Sequence, residues 1–247
     1  MKRTVQTKGV GGGKVNPHQS TFELKQRIML ALNKLADRDT CQIGINELEK
    51  IAGTLAPQEV PSFLSCVLET DKEQKSALRR ECVRSLGVLA MRQERNVVNA
   101  YIGRMVGSIV KRLRDPDSVV RDACVETVGI LASRMVTCED SRDGIFVSLV
   151  RPLFESLGEQ NKQIQCGSAL CLARIIDNVQ EPPFEILQRM LVKTVKMLKS
   201  PHFMAKPAVI ELNKSILQAG GAPSKNLLSA AMNSIQESLK EGDWTIR

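Results

Sequence analysis

The chain has 247 residues, of which 43% are hydrophobic, 25% charged and only 3% aromatic, with a formal net charge of +8 at pH 7. These values fit a globular chain of one large or two small domains, while the lack of any apolar run of about 18 residues excludes a transmembrane helix. Two histidines, seven cysteines without a CxxC pair, and no GxxxxGK[ST] or GxSxG leave almost no raw material for zinc sites, catalytic triads or phosphate cradles.

A non-enzyme without cofactor or metal is therefore expected. The basic N-terminus lacks the apolar stretch of a secretory signal, so the chain is expected to be soluble and intracellular, with reduced cysteines packed as small hydrophobes.

Residues 1–19 carry Lys2, Arg3, Lys8 and Lys14 with no acid, around the run Gly11-Gly12-Gly13. They read as a disordered basic tail. From residue 20 to residue 247 the pattern is helical throughout, with no strand indicated. Unit one, about Ser20 to Leu55, opens on Ser20-Thr21-Phe22-Glu23, a candidate capping box. Unit two spans about Val60 to Met91 and unit three about Asn96 to Met135. In unit three, Val106, Ile109, Val110 and Leu113 fall at i, i+3, i+4 and i+7, an amphipathic helix. Asp115-Pro116-Asp117-Ser118 then breaks it, because Pro116 disfavours helical geometry at Asp115, and Asp117 or Ser118 can cap the next helix. That helix aligns Val120, Ala123, Cys124, Val128 and Leu131. A polar linker, Thr137 to Asp143, precedes unit four, Ile145 to Val179. Pro182-Pro183 opens unit five, which closes at Gly220-Gly221. Pro223 starts unit six, whose second helix has barely begun at Arg247, so the array is expected to stop within a repeat.

The units keep a fixed spacing. Cys82, Cys124 and Cys166 lie 42 residues apart, and Leu86, Val128, Leu170 and Leu212 hold the same register. Leu113–Arg121 (LRDPDSVVR) reappears three periods later as Leu239–Arg247 (LKEGDWTIR). A helix pair repeated at this period is the mark of HEAT repeats. The fold class is therefore all-α, an α-solenoid of about six HEAT repeats. The cysteine column reads as core, and the methionines read as gap fillers.

In such a stack the turns inside each repeat align along one edge, where substitutions leave the core untouched. The side chains singled out there are Arg38 and Thr40; Lys72 and Lys75; Arg114 and Ser118; Lys162; His202, Phe203 and Lys206; Trp244 and Arg247. Phe203 and Trp244 are either interface anchors ringed by cations or rings folded back to pad the seam between repeats. Asp117 and Arg121, four apart at a helix start, are explained by a cap and an ion pair. Asn213-Lys214-Ser215 matches a glycosylation sequon but carries no weight without a secretory signal.

The segments ELKQRIMLALNKLADRDTCQIGINELEKIA, KRLRDPDSVVRDAC, QCGSALCLARIID and HFMAKPAVIELNKSI resemble the plant TORTIFOLIA/SPIRAL microtubule-associated proteins, over about Phe22 to Arg247. The resemblance implies a TOG-like array of six HEAT repeats, cytoplasmic, that binds tubulin and microtubules. It also implies a role in microtubule dynamics, cortical array order and directional cell growth. TOG domains contact tubulin through the turns within repeats, with an aromatic in the first and cations in later ones. Here Thr40 stands where the sixth-repeat register has Trp244, so the first turn lacks its usual Trp. Arg38, Arg114, Lys162, Phe203 and Lys206 follow the pattern. No nucleic acid, membrane or small-molecule partner is implied, and a monomer is expected. The competing reading is a general HEAT scaffold for a partner other than tubulin.

Overall fold

The computed structural model describes residues 17–69, 75–136, 142–220 and 225–240. Their order is α1 (Pro17–Leu35), α2 (Cys41–Thr54), a 3-10 turn (Pro57–Glu59), α3 (Val60–Leu68), α4 (Ser76–Arg92), α5 (Arg95–Asn99), α6 (Ile102–Arg112) and α7 (Ser118–Met135). Then follow α8 (Arg142–Ser156), α9 (Lys162–Asp177), α10 (Phe184–Leu198), α11 (Lys206–Gln218) and α12 (Lys225–Leu239). No strand occurs among the described residues, and none of their helices is long and apolar enough to cross a membrane. Helices α1/α2, α3/α4, α6/α7, α8/α9 and α10/α11 form five helix pairs, and α12 is the first helix of a sixth. The second helix expected to begin near Arg247 lies outside the described residues.

The start of the array differs from the sequence reading. Helix α1 begins at Pro17, so Ser20–Glu23 lie within it rather than at its start. Proline suits a first helical turn, because its missing N–H would have had no partner there and its φ is already helical. The expected tail, residues 1–19, therefore gives up its last three residues to the helix, and residues 1–16 lie outside the described residues.

Two layers result. The second helices pack one after another, α2 on α4, α4 on α7, α7 on α9 and α9 on α11. The first helices pack most closely as the pairs α1–α3, α6–α8 and α10–α12. Glycines set the close approach within the second layer. A Cβ at Gly87 would meet Ile130 at 3.2 Å, and one at Gly129, a full period later, would meet Arg174 Cγ at 2.8 Å. Between the layers a Cβ at Gly167 would meet Leu113 Cδ2 at 2.7 Å. The space of that absent side chain is filled by a fully buried leucine.

The core runs continuously between the layers, and Phe63, Leu86, Leu89, Met105, Ile109, Leu113, Leu131 and Phe146 are among its fully buried members. Leu86, Val128 and Leu212 of the repeating register are buried, and Leu170 is half-buried. Cys82 and Cys124 pack in the core, whereas Cys166 is half-buried. The methionine expectation holds for Met105, Met135 and Met190. It fails for Met29, Met91, Met204 and Met232, which are exposed. Across the first-layer gaps, Arg104 of α6 donates to Ser65 Oγ of α3 at 3.2 Å, and Lys193 Nζ of α10 lies 4.6 Å from the Phe154 ring centre of α8.

Candidate interaction edge

The turns between the helices of each pair form one edge, and their backbone is held mostly by local polar side chains. In the first turn, Asp37 Oδ1 accepts the Asp39 N–H at 3.1 Å. Thr40 Oγ1 donates to the Lys34 carbonyl at 2.8 Å, so the hydroxyl expected at the surface is spent inside the turn. Arg38 is exposed and has no ion pair or hydrogen bond among the described residues. Lys72 of the second turn lies outside the described residues. Lys75 is exposed, and its ammonium reaches back one repeat to the Ala36 carbonyl.

The third turn is the most constrained. Asp115 is buried, and its carboxylate takes both Arg79 Nε at 2.7 Å and Arg79 Nη2 at 2.8 Å, from α4 of the preceding repeat. The same carboxylate accepts the Asp117 N–H at 3.0 Å. Asp117 caps α7 as expected, accepting the Val119 N–H at 3.2 Å. Arg121 does not pair with Asp117. Its Nη1 donates instead to the carbonyls of Asp115 at 2.7 Å and Pro116 at 2.9 Å, because these carbonyls have left the helical ladder and need donors. Burial pushes the Asp115 carboxyl up, but the Arg79 and Asp117 hydrogen bonds and nearby Arg112 outweigh it and hold it below its ordinary 3.8. Hydrogen bonding to Asp115 raises Arg79 in turn, burial opposing.

Arg114 is exposed and pairs with Glu159 of the fourth turn at 2.6 Å. Ser118, the first residue of α7, is exposed, with Val119 40% exposed beside it. In the fourth turn Asn161 caps α9, accepting the Ile164 N–H at 3.1 Å. Gln165 ties three segments together: its Nε2 donates to the Glu159 carbonyl at 2.7 Å and its Oε1 accepts the Met204 N–H at 3.3 Å. Lys162 is exposed, without a partner among the described residues.

The fifth turn corrects two expectations. Phe203 is only 9% exposed and belongs to the core, so the ring pads the seam rather than anchoring a partner. Lys206 is 8% exposed and has an interaction of its own, so it offers no free cation at the surface. His202 is exposed, and Met204, passed over in the sequence in favour of its aromatic neighbour, is 44% exposed. Lys199, which closes α10, is exposed as well. A turn of this length must turn one side chain inward to cover the repeat end, and the larger ring gains more by burial. Trp244 and Arg247 lie outside the described residues.

The edge therefore presents Arg38, Lys75, Arg114, Lys162, Lys199 and His202, with Val119 and Met204 as apolar contacts. Burial pushes the Cys124 thiol up to about 12 and raises Cys171 and Cys166 too, the latter against the opposing charges of Lys162 and Arg121. A thiol held neutral reacts poorly.

The profile of the family described as TORTIFOLIA1 N-terminal matches residues 22–247. TORTIFOLIA1-like protein 2 of Arabidopsis thaliana is 60% identical over 250 residues, covering 100% of this chain and 30% of the relative. The microtubule-associated protein TORTIFOLIA1 of the same plant is 34% identical over 244 residues, covering 95% of this chain and 28% of the relative. The chain thus spans less than a third of either relative. Among solved structures, a chain from work on how Crescerin uses a TOG domain array to regulate microtubules in the primary cilium superposes with a TM-score of 0.61 at 16% identity, covering 87% of both chains. One from work on microtubule plus end tracking by XMAP215, CLIP-170 and EB1 superposes with a TM-score of 0.55 at 16% identity, covering 88% of this chain and 96% of the other. These likenesses show the fold alone, a HEAT-type α-solenoid.

Proposed function

The chain belongs to the TORTIFOLIA1 N-terminal family, and from that premise we propose that it is a non-catalytic microtubule- and tubulin-binding domain that works through its turn edge. The observation that carries this reading is the row of exposed cations on successive turns, Arg38, Lys75, Arg114 and Lys162, interrupted by exposed Val119 and Met204. Spaced cations meet an acidic protein surface and speed its capture, while the apolar side chains between them supply burial on contact. The domain acts in the cytoplasm on the cytoskeleton, as a monomer, without membrane, nucleic acid or small-molecule ligand. Within a longer protein it contributes to control of microtubule dynamics, cortical array organisation and directional cell growth. Lys72, Trp244 and Arg247 share the repeat register of these turns in the sequence alone and lie outside the described residues.

The test is co-pelleting of the 247-residue chain with polymerised microtubules, beside gel filtration with unpolymerised tubulin, at low and moderate salt. Arg38→Glu with Lys162→Glu is expected to weaken binding about tenfold, as two exposed charge contacts are worth about 1–2 kcal/mol together. Its melting temperature is expected to match the parent's, since neither side chain has a partner to lose. Binding of neither tubulin form at low salt, or full binding by the double variant, would overturn the assignment to this edge.

A further inference from the structure

The turn edge carries acids among its cations. In the first turn Arg38 stands between Asp37 and Asp39, all three exposed. Arg114 of the third turn is paired with Glu159 of the fourth, Nη2 to Oε2 at 2.6 Å, with side chains 61% and 35% exposed. The exposed pairs Arg151–Glu155, Arg189–Glu185 and Lys214–Glu211 each join neighbours on a single helix. Arg114–Glu159 instead joins two successive repeats, its members 45 residues apart. As a brace for the fold, an exposed pair of this kind is worth little.

Both residues grow from backbone that is already fixed. Arg114 adjoins buried Asp115, whose carboxylate takes Arg79 at 2.7 and 2.8 Å. The Glu159 carbonyl accepts Gln165 Nε2 at 2.7 Å, and the Glu159 N–H donates to the Ser156 carbonyl at 3.2 Å. A pair rooted in this way loses less freedom on docking than two side chains on loose turns. A guanidinium carries donors on all its nitrogens, and a carboxylate accepts on both oxygens. Each member can therefore take a further partner without giving up the first.

We infer that Arg114 and Glu159 form one two-sign contact, which fits a partner protein surface presenting a carboxylate beside a lysine or arginine. The inference rests on the microtubule reading above and names what the tubulin surface offers at this point. The partner's carboxylate bonds Arg114 and its cation bonds Glu159, so no charge is left facing its like. A uniformly acidic surface is disfavoured here, because Glu159 repels it. The pair thus adds discrimination against plain polyanions, which a row of cations alone attracts without distinction.

The test exchanges the two residues. Arg114→Glu with Glu159→Arg keeps the net charge of +8 and an ion pair across the same turns. Each residue follows the end of a first helix, α6 or α8, so the interactions with helix ends offset each other. Melting is expected to match the parent's. Co-pelleting with polymerised microtubules is expected to weaken about tenfold, because two attractions become two repulsions. Glu159→Gln adds a net positive charge, yet is expected to weaken microtubule pelleting while tightening capture of a fluorescent polyglutamate peptide. Equal pelleting by the exchanged variant and the parent, or tighter pelleting by Glu159→Gln, would overturn the inference and leave the microtubule reading standing. A parent that does not pellet with microtubules would overturn both.

Discussion

Asp115 serves two chain segments at once: it closes its own turn through the Asp117 N–H and fixes that turn to the previous repeat through Arg79. Removing one member of a buried pair leaves the other charge without compensation, at a cost of about 3–5 kcal/mol. Asp115→Asn is therefore expected to lower stability by about 3 kcal/mol at pH 7 in urea denaturation. Because the folded carboxyl lies below its ordinary 3.8, its contribution is complete above that value and is lost as pH falls through the lower folded pKa. The parent should lose stability in that acid range, and Asp115→Asn should lose less. Phe203 gives a second residue-scale expectation. As a ring 9% exposed, its truncation to alanine should cost about 3 kcal/mol. Microtubule binding by the remaining folded protein should be unchanged. Asp117 was legible as a cap because the cue is local, an Asp after a proline break. The Arg79–Asp115 pair was not, since its members lie 36 residues apart and nothing in either helix announces the other. Phe203 was ambiguous for a related reason: an isolated turn residue has no periodicity to say which way it points.

At the level of helices, apolar spacing and the proline and glycine breaks were enough to place the pairs α3/α4 through α10/α11 and the first helix of the sixth unit. The start of α1 was misplaced because Ser20-Thr21-Phe22-Glu23 imitates a cap inside a helix. The contrast between two glycines tests how the layers lock. Gly167 on α9 faces Leu113, and an added Cβ would lie 2.7 Å from Cδ2 of a fully buried side chain. Gly167→Ala is expected to destabilise by about 1–3 kcal/mol. Gly103 on α6 has nothing within 4 Å of its Cβ position, so Gly103→Ala should stabilise by about 0.5–1 kcal/mol through its better helix propensity. Paired urea melts would show opposite shifts. Equal shifts would mean that the close contact of α9 with Leu113 does not govern repeat packing.

Across the whole molecule, the two layers are held together differently. The second helices α2, α4, α7, α9 and α11 form an unbroken series, brought close by Gly87 and Gly129. The first helices meet across gaps bridged by Arg104 with Ser65 and by Lys193 over Phe154. Such an object behaves as a leaf spring with an inextensible spine. Tension along the array should open the gaps on the first-helix side elastically before the second-helix series separates, because a cation over a half-buried ring is worth only about 1 kcal/mol. Optical-tweezer stretching through handles at residues 21 and 235 should show reversible lengthening ahead of rupture. Lys193→Met should soften that regime while leaving the thermal midpoint nearly unchanged. A domain built this way can change its curvature under load while the spacing of its second-helix spine stays fixed.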